Sequence, residues 1–171
     1  MWKIFILALI VLFVIYRLPL QGEIPEEMIK KAKELDEMSK DKLELAKNTY
    51  LFVDSKFTSP IREYLRQPDR IFLKNRNAIW NLQNEYIPSN TQNEIYKDLL
   101  LLTGKFKEEE FTYTQEMCEI SPHEYWKLKI DNNTIFIDLW MSDNSILNDT
   151  FGCYSPRPCN FEQYICAEGF P

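Results

Sequence analysis

The chain has 171 residues, 45% of them hydrophobic and 14% aromatic. Once the first ~20 positions are set aside as a membrane or export segment, that is enough for one domain with a single core and too little for two. The net charge of -6, with no Lys/Arg-rich stripe on any segment, excludes a nucleic-acid partner, because phosphate binding needs a basic face.

The chain opens on an uninterrupted apolar run, Ile4 to Tyr16, bracketed by Lys3 and Arg17, whose long stems reach headgroups from a short span. The run is shorter than the ~20 residues that cross a bilayer, but Met1, Trp2, Leu18 and Leu20 extend it. An uncleaved single-span anchor competes with a cleaved signal peptide and with a buried globular helix. The anchor is favoured because no small-residue cleavage site follows, Leu20 and Gly22 being the nearest candidates. Lys3 and the terminal amine favour a cytoplasmic N-terminus; Arg17, Lys30, Lys31 and Lys33 oppose it but are interleaved with Glu23, Glu26, Glu27 and Glu34. We therefore expect a single-pass membrane protein whose soluble domain faces outward. Residues 1–21 are the anchor or signal, 22–57 an amphipathic helical lead-in, and 58–171 the rest of the domain.

After the breaks at Pro19 and Pro25, residues 26–57 carry Met28, Ala32, Leu35, Met38, Leu45, Ala46 and Phe52 near helical spacing, which predicts one long helix or two shorter ones. The apolar seam does not hold heptad register, so a coiled coil is disfavoured. Thr58-Ser59-Pro60 ends this stretch and restarts a short helix through Leu65; Gln67-Pro68-Asp69 turns into another helical stretch toward Trp80 and Leu82. Tyr86-Ile87-Pro88 breaks the pattern again. Thr91-Gln92-Asn93-Glu94 reads as a capping box, Ile95, Leu99 and Leu102 follow at helical spacing, and Gly104 is the stop. Ser89 therefore lies within a residue or two of a helix N-terminus.

Beyond Lys105 the period changes. Phe111, Tyr113 and Gln115 alternate with polar neighbours, and Tyr125–Ile130, a turn at Asp131-Asn132-Asn133 and Thr134–Trp140 read as strand, turn and strand. Helices first and antiparallel strands second predict an α+β domain. The tail after Met141 has no periodicity and is expected to wrap the surface, pinned by aromatic residues and cysteines. Of the four cysteines, Cys118, Cys153, Cys159 and Cys166, three crowd into the tail; one or two disulfides, free buried thiols and a metal site all remain open. The metal reading is the weakest, since no C-x-x-C pair occurs and the single histidine is distant. Asn132 and Asn148 fit the glycosylation acceptor pattern.

Three residues stand out together: Ser89 at a helix start, the single His123, and Asp138 across the hairpin. A nucleophile at a helix N-terminus gains from the dipole and unpaired N–H groups, a histidine takes its proton, and a carboxylate fixes the imidazole tautomer. Taken singly, each has a plainer reading: Ser89 as a turn or cap residue, His123 as a surface or hydrogen-bonded residue, Asp138 as the outward residue of an alternating strand. Cys118 lies near His123 in sequence, but a short separation along one chain is a poor route to a shared site. Trp80, Trp126 and Trp140 read as core aromatics or pocket walls.

The segments Tyr86–Asn93, Leu99–Gly104, His123-Glu124-Tyr125-Trp126 and Ile137-Asp138-Leu139-Trp140, with Ala46–Val53 upstream, resemble the transglutaminase-like branch of the papain-like superfamily. The resemblance covers roughly residues 44 to 145. It implies a transglutaminase-like α+β core with Ser89, His123 and Asp138 at the catalytic positions and no cofactor or metal. The reaction implied is acyl transfer on an amide or peptide, by hydrolysis or transamidation. Two positions depart from the pattern: Ser89 stands where the family has its nucleophilic cysteine, and the aromatic two residues past the histidine is Tyr125, with Trp126 one further. A hydroxyl is a much weaker nucleophile than a thiolate, so an inactive or impaired site is expected. The alternative is a non-enzymatic anchored envelope or membrane-complex subunit that binds protein partners. The partners expected are thus the membrane and a protein or peptide.

Overall fold

The computed structural model describes residues 2, 4, 6, 7, 11, 14, 15, 18–58, 63, 66–117, 122–144, 147, 149–156 and 164–170. Two helices open the domain, α1 (Glu26–Glu37) and α2 (Lys42–Lys56). Met28, Ala32 and Leu35 form the buried stripe of α1, while Asp41 caps α2 by accepting the Glu44 N–H at 2.8 Å. The stretch read as one long helix or two is therefore two.

Strand β1 (Phe57–Thr58) leaves α2 directly and pairs in parallel with β2 (Glu85–Tyr86). Between them the expected helical run toward Leu82 is broken into a 3₁₀ turn at Pro68–Phe72 and the short α3 (Arg76–Trp80). The break comes from Leu73 and Asn75 in extended conformation, with the Asn75 side chain capping α3 through the Ala78 N–H. The helix restart expected at 60–65 falls largely outside the described residues.

The central helix is α4 (Ser89–Leu102). It starts two residues before the expected capping box: Pro88 is its N-cap, with no side-chain cap, and the Pro88 carbonyl accepts the Gln92 N–H at 3.0 Å. Pro88 is suited to this place because its fixed φ feeds the first turn and it has no N–H to leave unpaired. Gly104, at φ +72°, follows the end of α4 as expected.

Sheet order in the second half is β3 (Phe111–Met117), β4 (Pro122–Ile130) and β5 (Asn133–Ile137), all antiparallel. Asp131 makes the tight connection at φ +53°, a left-handed conformation that Asp tolerates. β5 does not run on to Trp140: it stops at Ile137, and Leu139 opens the short helix α5 (Leu139–Asn144). The tail is pinned by aromatic residues and a disulfide as expected, but it has more regular structure than its lack of periodicity suggests. It forms a small hairpin of β6 (Cys153–Tyr154) and β7 (Ile165–Cys166), with Phe151 and Cys153 fully buried.

The core lies between α4 and its neighbours. Tyr96 and Leu100 of α4 share one cluster with Leu45 and Tyr50 of α2 and Leu128 of β4, and the Tyr50 and Tyr96 rings meet edge to face at 6.4 Å. The architecture is α+β, helical first and antiparallel second. Among the described residues no helix is long and apolar enough to cross a membrane, and much of the 1–17 run lies outside them. Of its described positions, Trp2 and Ile4 are each 74% exposed.

Candidate active site

Extending the Trp126↔Ile137 register by one step sets Asp138 opposite Tyr125, and His123, two residues back along β4, lies diagonal to it on the same face. The diagonal is closed by a hydrogen bond of 2.7 Å from His123 Nε2 to Asp138 Oδ2. A carboxylate accepts, so Nε2 carries the hydrogen and Nδ1 is left as the basic nitrogen of the ring. His123 is 4% exposed and Asp138 0%, so Asp138 is not the outward residue that strand alternation suggests. The end of β5 at Ile137 explains the difference, because Asp138 belongs to the strand-to-helix corner and its carboxylate turns inward.

Burial alone would lower the His123 pKa. The charge and hydrogen bond of Asp138, with Glu116 and Glu124 adding to them, outweigh burial and hold the imidazole above its ordinary value. Asp138 is held in turn from three directions. Its Oδ2 also accepts the Ser155 N–H at 3.1 Å, and its carbonyl accepts the Tyr50 hydroxyl at 3.1 Å. Tyr50 pairs at 2.7 Å with the Thr150 hydroxyl; its own burial, with the Asp138 charge adding, pushes its phenol well above the usual range. Trp140, first turn of α5, sets its ring edge-on to the imidazole at 5.4 Å.

Ser89 is the first residue of α4 and is partly exposed. No hydrogen bond joins it to His123 among the described residues. The link between helix and pair runs through Asn93, one turn further along the Ser89 face of α4. Its Nδ2 donates to the Glu124 carbonyl at 3.0 Å and its Oδ1 accepts the Leu139 N–H at 3.4 Å. Each partner is the residue that follows one member of the pair, so a single amide fastens α4 both to β4 and to the start of α5. The signal for Asn93 in the sequence is a polar residue on the stripe shared with Tyr96 and Leu100.

Beside the start of α4 lies a cavity of about 260 Å³ bordered by Lys74, Asn90, Thr91, Glu94, Glu124 and Trp126; neither Ser89 nor His123 lines it. Burial lowers the pKa of Lys74 and raises that of Glu94. Trp80 and Trp126 are core aromatics, and Trp126 is also a wall of this cavity. In the tail, Cys153 and Cys166 form a disulfide. Cys118, Cys159 and Asn148 lie outside the described residues, while Asn132 is exposed in the β4–β5 turn. Among the described residues no cluster of His, Cys, Asp and Glu could hold a metal ion.

No family model, curated protein or solved structure matches the chain.

Proposed function

We propose that this protein is a membrane-anchored transglutaminase-like domain whose acyl-transfer site is inactive or impaired because Ser89 occupies the nucleophile position. The observation that carries the reading is the His123–Asp138 bond through Nε2, which leaves Nδ1 as the nitrogen able to take a proton from a nucleophile. The Asn93 clamp supports it by holding the N-terminal turns of α4 against the residue that follows each member of the pair. With a thiol at position 89, the helix dipole and the imidazole would together favour thiolate; attack on an amide or peptide carbonyl would give an acyl-enzyme, released to water or an amine. A hydroxyl is a far weaker nucleophile than a thiolate, and among the described residues no hydrogen bond joins Ser89 to His123 to activate it. Anchoring rests on the exposed apolar side chains of the first segment, which need cover from water. The soluble domain would then face outward and act beside a protein or peptide partner at the membrane.

A second reading is an anchored, partner-binding subunit with no acyl-transfer ancestry, in which His123 and Asp138 are a buried structural pair. Their near-complete burial favours it. Mass spectrometry of Ser89→Cys protein incubated with an activated acyl ester separates the two. A covalent acyl adduct that forms faster than on an unstructured thiol, and slows when His123→Ala is added, supports the first reading. Adduct formation at the rate of an ordinary thiol supports the second.

A further inference from the structure

The tail contributes more than cover. Phe136 of β5 bridges to Gly152, the Ala167 N–H returns to the Gly152 carbonyl at 3.0 Å, and Cys153 is bonded to Cys166. The two residues that follow Cys153 both act on the pair's surroundings. Tyr154 stacks on Tyr125 at 4.4 Å between centroids and packs on Phe136 at 4.6 Å. Ser155 gives its N–H to the same Asp138 oxygen that His123 holds. Short strands such as β6 and β7 do not hold themselves together in water, so the covalent bond fixes where Tyr154 and Ser155 stand.

We propose that the Cys153–Cys166 disulfide is a redox latch on the His123–Asp138 pair: closed, it seats β6 over the pair, and reduced, it lets β6 lift and admits water to the imidazole. Cys153 is fully buried while Cys166 is partly exposed, so an external dithiol reaches the bond at Cys166 Sγ. The thiolate of the dithiol attacks that sulfur and expels the Cys153 thiolate, which takes up a proton. The second thiol of the reagent then attacks the mixed disulfide, releasing Cys166 as a thiol and leaving the reagent as a cyclic disulfide. Two electrons and two protons pass to the protein. The latch depends on the observed pair and tail, and stands whether or not position 89 ever bore a reactive nucleophile.

The single histidine of the chain is a reporter without background. Its NMR titration midpoint and its rate of carbethoxylation by diethyl pyrocarbonate are to be measured in the oxidised protein, after dithiothreitol, and in Cys153→Ser/Cys166→Ser. Opening weakens the Asp138 attraction and the burial together, so the midpoint should fall toward the ordinary histidine value and modification should quicken severalfold, with the far-UV helix signal retained. An unchanged midpoint and rate in reduced, folded protein would overturn the latch. Loss of the helix signal on reduction would overturn it too, by making the disulfide a global staple. Because no arm involves Ser89, failure here leaves the acyl-transfer reading to its own test.

Discussion

His123 donates from Nε2 to Asp138 Oδ2 at 2.7 Å in surroundings closed to solvent, and the charge and hydrogen bond of Asp138, together with the charges of Glu116 and Glu124, outweigh burial in setting the charge of the imidazole. Its folded pKa therefore lies above the ordinary 6.5, and the folded state holds a proton that the unfolded chain releases. The resulting stabilisation is fully present below pH 6.5 and is lost as the pH rises through the folded midpoint. Thermal melts of wild type and His123→Gln should differ most on the acid side of that window and converge above it. A difference that grows with pH would mean that the ring is neutral throughout.

Asp138→Asn keeps the shape of the carboxylate and removes its charge. Burial is the largest influence on His123 and lowers its pKa, so the NMR midpoint of the single histidine should fall in this variant. No movement would show that Glu116 and Glu124, not Asp138, hold the ring charged.

Asn93→Ala removes both hydrogen bonds of the clamp, the one to the Glu124 carbonyl and the one from the Leu139 N–H. The cost should be about 2–3 kcal/mol, read as a shift in denaturant midpoint. Asn93→Asp should be no rescue, because it keeps the acceptor, loses the donor and brings a second carboxylate toward Asp138.

Gly152 sits at φ +85°, and a methyl group there would lie 2.5 Å from the Phe170 ring. Gly152→Ala should lose ~2–4 kcal/mol from backbone strain and displaced packing together. Melting temperature checks the loss, and a near-wild-type value would show that the tail accommodates the change.

Much of this architecture can be read from local pattern. The stripe Met28, Ala32, Leu35 announces α1, the change from helical to alternating spacing after Lys105 announces the sheet, and Gly104 marks the end of α4. The start of α4 at Ser89 agrees with its expected place, but the capping box does not form: Thr91 to Glu94 has the residue types of one, whereas the N-cap is Pro88, three residues before Thr91, and its carbonyl takes the Gln92 N–H. The corner at Asp138 could not be read, since Leu139 and Trp140 suit a strand as well as a helix, and tertiary contacts with Asn93 and Tyr50 decide between them. His123 and Asp138 were legible as a pair through hairpin spacing. Their supports were not: Tyr50, Ser155 and Asn93 come from elements remote in sequence, joined only by the packed fold.

The most direct measurement is the alkylation rate of Ser89→Cys by iodoacetamide across pH, compared with Ser89→Cys/His123→Ala. If the α4 N-terminus and the His123–Asp138 pair form one nucleophilic frame, the thiol should react at neutral pH faster than an unstructured thiol, with a profile displaced toward acid. Removing the imidazole should return it to the ordinary cysteine profile near pH ~8.5. An ordinary profile with His123 present, unchanged by its removal, would contradict the proposed site.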